Sequence, residues 1–110
     1  MKILFICSAN KERSITAEEY ASMHHPEHEY DAAGTNRKIC FQLGTTYVMQ
    51  EQLNWADHIL CMEAKHKTQI QHVYGDMFNS KIAVLRIKDH YSYNDPKLIE
   101  ILQQKLAAYL

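Results

Sequence analysis

A cysteine and an arginine near the start of the chain, Cys7 and Arg13, are separated by five residues in the stretch ICSANKERS. An apolar run typical of a buried strand precedes the cysteine, and a helical pattern follows the arginine. A loop between a strand and a helix turns backbone N–H groups inward, and the helix start adds unpaired amides and the positive end of its dipole. Such a nest binds a dianion such as phosphate and favours a thiolate. The pattern therefore predicts a nucleophilic cysteine at an anion site, with a small buried thiol as the alternative.

The other side chains of this loop fit the same chemistry. The planar guanidinium of Arg13 can bind two phosphate oxygens at once. Ser14 can donate a hydrogen bond to the sulfur of Cys7, and Asn10 tolerates the unusual turn geometry that such a loop needs. The predicted phosphate-binding residues are Ser8, Ala9, Asn10, Lys11, Glu12, Arg13 and Ser14.

Hydrophobic periodicity predicts strands that alternate with helices along the whole chain. The predicted strands cover residues 2–6, 28–33, 56–62 and 81–87, and the predicted helices cover 14–23, 47–55, 63–73 and the chain from Pro96 onward, with 35–45 irregular. This order predicts one α/β domain over residues 1–110, with a parallel sheet covered by helices on both faces. In such sheets ligands bind at the carboxyl ends of strands, where Cys7 lies.

The composition argues against several other classes of protein. With 110 residues, the chain is long enough for only one domain. Its 12 basic and 13 acidic side chains argue against a general nucleic-acid binder, which usually carries a basic face, and the chain has no run of 18 apolar residues that could span a membrane. Three widely spaced cysteines, with too few apolar residues before the first for a signal peptide, indicate reduced thiols in the cytoplasm. The sequence does not indicate an oligomeric state.

Seven histidines raise the question of a metal site. His58, His66 and His72 have no cysteine or carboxylate partner at a spacing typical of metal ligands, and the chain has no CxxC pair. We therefore expect neither a metal nor another cofactor. The polar residues of the predicted helix at 63–72 are expected to face solvent.

The stretch ILFICSANKERSITAEEY, at residues 3–20, resembles the opening of the low-molecular-weight protein tyrosine phosphatases. Their motif is C-x-G-N-x-C-R-S, and the matching residues here are Cys7, Asn10, Arg13 and Ser14. DAAGT at 31–35 and ADHILCME at 56–63 are similar to two further segments of that family. The resemblance implies a three-layer phosphotyrosine phosphatase I-like domain with a four-stranded parallel sheet. It also implies a phosphorylated substrate, such as a phosphotyrosine protein or a small phosphoester, and a phosphocysteine intermediate on Cys7.

Two letters of the loop differ from the family motif. Ala9 stands in place of a glycine, which would tolerate more backbone conformations. Glu12 stands in place of a second cysteine and brings a carboxylate next to Arg13. That carboxylate could repel phosphate if it faced inward, or point to solvent or pair with Lys11. Because of these departures, a catalytically weak phosphate-binding or interaction module stays an alternative to an active enzyme.

The general acid that the family places in an Asp-Pro-Tyr-Tyr loop has two candidates here. Asp95 and Pro96 form such a dipeptide, but together they also suit the N-cap and first position of the last helix. Asp89 comes one residue after the predicted fourth strand, and the aspartate of the family also follows its fourth strand. Matching strand to strand makes Asp89 the predicted acid. By the same match Tyr91 and Tyr93 could form the wall of the substrate pocket, or could equally be ordinary surface packing.

Two other enzyme-like functions share this architecture. An arsenate reductase needs relay cysteines that pass a disulfide outward. Cys61 follows the predicted third strand, but no cysteine comes after it in the next helix. A phosphocysteine carrier of the sugar-transport type does not need an arginine that closes the loop, so Arg13 counts against it. The sequence therefore favours a phosphomonoester hydrolase, with an arsenate reductase-like enzyme or a phosphate-binding module as the alternatives.

Overall fold

A computed structural model describes all residues of the chain, 1–110. Four parallel strands form one sheet: β1 (Lys2–Cys7), β2 (Glu29–Gly34), β3 (His58–Cys61) and β4 (Ile82–Val84). Five helices connect and follow them: α1 (Arg13–His24), α2 (Arg37–Leu43), α3 (Gln50–Trp55), α4 (Ala64–Tyr74) and α5 (Pro96–Leu106). A single 3-10 turn at Asn79–Lys81 leads into β4. None of the helices is long and apolar enough to cross a membrane.

The strand order places the end of β1 at the centre of the sheet. The strands lie in the order β2-β1-β3-β4, so β1 pairs with β2 on one side and with β3 on the other. After β2 the chain crosses back over β1 to form β3, and the order of the strands reverses there. Open α/β sheets bind ligands outside the carboxyl ends of the strands at such a reversal. Cys7 is the last residue of β1 and therefore lies at that point.

Two apolar layers cover the two faces of the sheet. On one face Ile3 and Phe5 of β1 pack with buried residues of α1 and α5, such as Ala17 and Leu102. On the other face Leu4 and Ile6 pack with buried residues of α3, α4 and the turn before β4, which are Leu53, Ile70 and Phe78. Alternate residues of one strand thus bury opposite faces, as expected for a parallel sheet. The predicted three-layer domain is confirmed.

The interval 35–45, predicted to be irregular, contains helix α2. Asn36 caps it, because the Asn36 side chain accepts a hydrogen bond from the backbone N–H of Ile39. Gly44 ends it in the left-handed conformation, at a φ of 69°, which glycine adopts without steric cost. Only Cys40 of this short helix is buried, so the periodic apolar pattern that identifies a helix is missing.

The fourth strand is shorter than predicted. Regular pairing ends at Val84, and Arg86 has a positive φ of 59° that takes the chain out of the strand conformation. The backbone N–H groups of Leu85 and Ile87 still donate to carbonyl oxygens of Cys61 and Met62, at 2.8 and 2.7 Å. The chain therefore continues along the edge of β3 as far as Ile87, although not as a regular strand.

Candidate active site

The residues from Cys7 to Ser14, called the Cys7 loop below, wrap around the sulfur of Cys7. That side chain is only 3% exposed. Its Sγ accepts a hydrogen bond from the backbone N–H of Asn10 at 3.2 Å and lies 3.0 Å from the Oγ of Ser14. Asn10 has a positive φ of 51°, which turns its N–H inward. The predicted contact between Ser14 and the cysteine is present, and together these donors can stabilise a thiolate.

The hydroxyl proton of Ser14 has two acceptors within reach, which are Oδ1 of Asn10 and the sulfur of Cys7. The Ser14 hydroxyl donates to the Oδ1 of Asn10 at 2.8 Å, so the thiol proton of Cys7 is the one that bridges sulfur and Ser14 Oγ. When Cys7 is a thiolate, the Ser14 proton must turn to the sulfur. A half rotation of the Asn10 amide would then let its NH₂ donate to Ser14 Oγ. The three side chains can thus satisfy both protonation states of the cysteine.

The Cys7 loop is tied to the segment that follows β2. The backbone N–H groups of Thr35 and Asn36 donate to the carbonyl oxygens of Cys7 and Ser8, both at 3.0 Å. The Thr45 hydroxyl donates to the carbonyl oxygen of Ala9 at 2.6 Å. These bonds turn the loop carbonyls away from the predicted anion site, so that the N–H groups of the loop are free to face that site.

Gly34 is the residue that allows this close approach. A Cβ atom at Gly34 would lie 2.5 Å from the carbonyl oxygen of Ser8, 2.7 Å from Cys40 Sγ and 2.9 Å from the backbone nitrogen of Asn10. None of these distances is tolerable for a methyl carbon. The glycine in DAAGT is thus required because the loop backbone packs directly on it.

Arg13, the first residue of α1, carries a guanidinium that is almost fully buried, with 2% of the residue exposed. Its NH1 donates to the carboxylate of Glu63 and to the carbonyl oxygen of Ile87, the latter at 2.8 Å. Its Nε lies 3.8 Å from the Oδ1 of Asp89. Its Nε and NH2 make no hydrogen bond within the protein. They form one edge of the planar fork, which is the edge that can bind two oxygens of one anion.

Glu63 and His66, at the start of α4, contact this site and were not predicted to belong to it. The backbone N–H of Glu63 donates to Nδ1 of His66 at 3.0 Å, and Nε2 of His66 lies 2.9 Å from the Oγ of Ser8. His66 is fully buried, which corrects the expectation that the polar residues of 63–72 face solvent. The helical spacing of His66 and Ile70, four residues apart and both buried, is the only local sign of this burial.

Burial and charge shift the pKa values of both residues. Burial, together with the positive charge of Arg13, lowers the pKa of His66 to about 4, so the imidazole is neutral near pH 7. Burial acts to raise the pKa of Glu63, but the hydrogen bond and the charge of Arg13 outweigh it, and that pKa is lower than usual. Glu63 is therefore a carboxylate paired with Arg13.

A small cavity opens above the sulfur and collects most of the predicted site. Its lining residues are Cys7, Ser8, Ala9, Lys11, Glu12, Arg13 and Asp89. Asn10 and Ser14, the other two predicted phosphate-binding residues, lie behind the lining and contact the sulfur and each other. The structure thus brings the three predicted catalytic residues, which are Cys7, Arg13 and Asp89, to one place.

Three other candidates lie outside this cavity. Asp95 is the N-cap of α5, where its side chain accepts a hydrogen bond from the backbone N–H of Lys97. Tyr93 donates its hydroxyl proton to Glu19 of α1, and Tyr91 packs on the apolar layer that α1 and α5 form. Neither Tyr91 nor Tyr93 lines this cavity, so a role of either residue in the wall of the substrate pocket stays a prediction.

The two letters that depart from the family motif have different surroundings. Ala9 does not have a positive φ, so its backbone does not require glycine. Glu12 lines the cavity and forms no ion pair, with Lys11 or with any other cation. The pairing of Glu12 with Lys11 that the sequence suggests is therefore absent.

Two further observations describe the surroundings of the site. A larger cavity of about 360 Å³ lies against α4, but it contains neither Cys7 nor Arg13; its lining includes Tyr47, Val48, Ile70 and Tyr74. No group of three or more His, Cys, Asp or Glu side chains is placed to hold a metal ion.

Comparison with known proteins gives structural likeness without sequence matches. No protein-family model matches the chain, and no curated protein sequence matches it. The low molecular weight protein tyrosine phosphatase from Streptococcus pyogenes superposes with a TM-score of 0.74 at 16% identity, over 99% of this chain and 93% of that one. The tyrosine phosphatase Wzb from Escherichia coli K30, in complex with phosphate, gives a TM-score of 0.78 at 22% identity, over 98% and 94%.

A third similar structure is that of a phosphatase with a different substrate. The YwlE arginine phosphatase from Geobacillus stearothermophilus superposes with a TM-score of 0.62 at 21% identity, over 97% of this chain and 84% of that one. The likeness to these proteins extends over nearly the whole chain in every case. The order of the strands and helices and the superpositions together show that this chain has the fold of the low-molecular-weight protein tyrosine phosphatases.

Proposed function

We propose that the protein is a phosphomonoester hydrolase that acts through a phosphocysteine intermediate on Cys7. The observation that carries the proposal is the single cavity that Cys7, Arg13 and Asp89 line together. A nucleophile, an anion-binding fork and an exposed carboxyl group are the three parts that transfer of a phosphoryl group needs. The phosphatases with the same fold support the same reaction class.

In the first step the thiolate of Cys7 attacks phosphorus in line with the leaving oxygen. A sulfur–phosphorus bond forms as the phosphorus–oxygen bond breaks. The inward N–H groups of the loop and the Nε and NH2 of Arg13 stabilise the negative charge on the other three oxygens. Asp89, which is 60% exposed and therefore able to reach an incoming substrate, gives its proton to the leaving oxygen.

In the second step water replaces the sulfur. The Asp89 carboxylate left by the first step takes a proton from a water molecule, whose oxygen attacks phosphorus. The sulfur–phosphorus bond breaks, and the electron pair returns to Cys7 as a thiolate. Inorganic phosphate then leaves, and Asp89 again carries the proton with which the cycle started.

The arsenate reductase alternative loses support from the surroundings of Cys61. That thiol is fully buried in the apolar layer beneath α3 and α4. Burial raises its pKa to about 12, so the reactive thiolate is scarce.

All three cysteines are free thiols. We place the protein in the cytoplasm, since a reducing compartment would keep Cys7 reactive.

The test is hydrolysis of p-nitrophenyl phosphate by the wild type and by Cys7→Ser, in a chelating buffer across a broad pH range. We expect metal-independent turnover that falls by at least about a thousandfold in the variant, because the hydroxyl of serine is a far weaker nucleophile than a thiolate. Cys40→Ser is the matched control, because Cys40 is a buried thiol that does not line the cavity. If the folded wild-type protein does not hydrolyse this substrate at any pH, the proposed enzymatic activity is refuted and a phosphate-binding module is the remaining alternative.

The substrate class needs a second assay. We propose phosphotyrosine side chains as the substrate, and the arginine phosphatase among the similar structures makes phosphoarginine the alternative. Peptides that carry either modification, compared by kcat/KM, separate the two. A higher kcat/KM for phosphoarginine, in which a phosphorus–nitrogen bond is cleaved, would overturn the proposed substrate and the phosphomonoester class, while leaving the phosphocysteine intermediate on Cys7 intact.

A further inference from the structure

The hydrogen bonds at the start of α4 determine which nitrogen of His66 carries the proton. Nδ1 accepts from the backbone N–H of Glu63, so it must present its lone pair. A neutral imidazole with an unprotonated Nδ1 carries its proton on Nε2. That proton points at Ser8 Oγ, which is 2.9 Å away. His66 is therefore the donor in this contact, and the oxygen of Ser8 is the acceptor.

This polarity leaves the hydroxyl proton of Ser8 free. Ser8 Oγ makes no other hydrogen bond within the protein, and Ser8 lines the cavity above Cys7. A hydroxyl whose oxygen already accepts a hydrogen bond is also a better donor, because the two bonds polarise one another. Its proton can then be donated to an anion oxygen in the cavity.

Glu63 acts on the second anion-binding group from the same helical turn. Its carboxylate and the carbonyl oxygen of Ile87 hold NH1 of Arg13 from two sides. Holding NH1 leaves Nε and NH2 of the rigid guanidinium as the edge free for a ligand. Glu63 takes part in both arrangements, because its backbone N–H donates to Nδ1 of His66 while its carboxylate holds Arg13.

We propose that the first turn of α4 is the orienting element of the anion site. In it His66 directs the proton of Ser8 into the cavity, and Glu63 fixes the fork of Arg13. Both are positioning residues, since neither lines the cavity. The inference rests on the anion site of the proposed function and concerns how that site is held, not whether it turns over.

The first experiment measures the affinity for inorganic phosphate in a Cys7→Ser background, by titration of ¹⁵N-labelled protein followed by NMR. His66→Asn keeps an acceptor near the position of Nδ1 but cannot reach Ser8, and we expect it to weaken phosphate binding about tenfold. His66→Gln, whose longer amide can donate to Ser8, should restore most of the affinity. His72→Asn is the control, an exposed histidine on the same helix.

A double-mutant cycle separates orientation from general damage. If His66 acts through Ser8, then His66→Asn should change phosphate affinity little once Ser8→Ala is present. An equal loss with and without the Ser8 hydroxyl would overturn this part of the inference, and so would an unchanged affinity in His66→Asn alone. If His66→Asn weakens phosphate binding only while the Ser8 hydroxyl is present, but the protein has no phosphatase activity, the inference is upheld and the proposed function is refuted. No phosphate binding by the folded background variant would refute the inference itself.

The sign of the Glu63 effect tests the other half. Removing a negative charge beside an anion site should strengthen phosphate binding if Glu63 merely neutralises Arg13. Orientation predicts the opposite. We expect Glu63→Ala to weaken phosphate binding about tenfold, and Glu63→Gln, which keeps an acceptor oxygen for NH1, to weaken it less. Glu100→Gln on the exposed side of α5 is the charge control. Tighter binding in either Glu63 variant would show that the pair inhibits the site.

Discussion

The Cys7 loop and the segment of residues 85–95, which connects β4 to α5, contribute to the same cavity but are built very differently. Four of the eight loop residues are buried, and side chains, backbone and neighbouring segments hold the loop from several sides. In the 85–95 segment the residues from 88 to 94 are all exposed except the half-buried Tyr91. The part that we propose binds the anion is thus prepared in advance, and the part that carries the proposed acid lies open to solvent.

The difference follows from what each part must do. Stabilising charge on phosphate depends on donors that already point the right way, since reorienting them during the reaction costs free energy. An acid that protonates a leaving group must admit a bulky substrate and then contact it, so it suits an exposed segment. The single bridge between the two parts is Arg13, which contacts the carbonyl oxygen of Ile87 and lies near Asp89.

Removal of that bridge should have the largest effect. Arg13→Ala removes a buried guanidinium together with its hydrogen bonds to Glu63 and to the carbonyl oxygen of Ile87, and we expect a loss of about 3 kcal/mol in the free energy of unfolding. Turnover should fall by about a thousandfold, because the fork that binds phosphate is gone. Denaturant unfolding and p-nitrophenyl phosphate kinetics measure the two effects.

Two variants make the Arg13 result interpretable. Arg13→Lys keeps the charge and should stay folded while it loses bidentate binding, so its kcat should still drop strongly. Lys88→Ala removes a cation from the exposed segment and should change stability by less than about 0.5 kcal/mol. Full activity in Arg13→Lys would contradict the role of the planar fork.

The pH dependence of stability should expose the buried side of the comparison. His66 has a pKa of about 4 in the folded protein, against 6.5 for an ordinary histidine. The unfolded chain therefore takes up this proton first as the pH falls, and protonation favours unfolding. The contribution of His66 to this loss of stability begins near pH 6.5 and is complete near pH 4, with a size on the order of 3 kcal/mol.

Variants of two histidines separate this contribution from the rest. His66→Asn should flatten the profile between pH 6.5 and 4, and His90→Asn, in the exposed 85–95 segment, is the control for loss of a histidine elsewhere. Glu63 has a pKa below the ordinary 4.5, so its own stabilising contribution begins to be lost as the pH falls through 4.5. Parallel profiles for the wild type and His66→Asn would show that His66 does not titrate in this window.

The contrast between the two regions also explains which parts of the molecule were predictable from sequence. The Cys7 loop is contiguous, so its chemistry and spacing can be read directly between a strand and a helix. Glu63 contacts Arg13, 50 residues earlier in the chain, and His66 contacts Ser8, 58 residues earlier. Nothing in the local sequence around Glu63 or His66 predicts these contacts. Only tertiary contacts show that His66 belongs to the site.

The fold shows the same limit in two places. Helix α2 escaped prediction because a short helix with one buried side chain has no apolar periodicity, although Asn36 and Gly44 stand at its two ends as capping residues. The position of Tyr93 after Asp89 favours a pocket wall, and nothing in the sequence predicts the contact of its hydroxyl with Glu19 of α1. Aligning the fourth strand of this chain with that of the family predicts that Asp89 lies at the site. Asp89 does line the cavity, because the chain follows β3 as far as Ile87.

Asp89 gives the smallest of the three effects and the sharpest test of the exposed segment. Asp89→Asn should lower kcat for an aryl phosphate about a hundredfold, because the amide cannot protonate the leaving oxygen. The free energy of unfolding should change by less than about 0.5 kcal/mol, since the side chain is 60% exposed. This pattern, a loss of turnover without a loss of stability, differs from the joint loss of both that we expect for the buried Arg13.

Asp95 is the matched control for Asp89. Asp95→Asn keeps a side-chain oxygen that can cap α5, so both turnover and stability should remain near wild type, whereas Asp95→Ala should cost about 1 kcal/mol of stability with kcat unchanged. A larger loss of kcat at Asp95 than at Asp89 would exchange their roles. The acid would then have to travel from the start of α5 to the cavity, and the 85–95 segment would be a moving part of the site instead of its open edge.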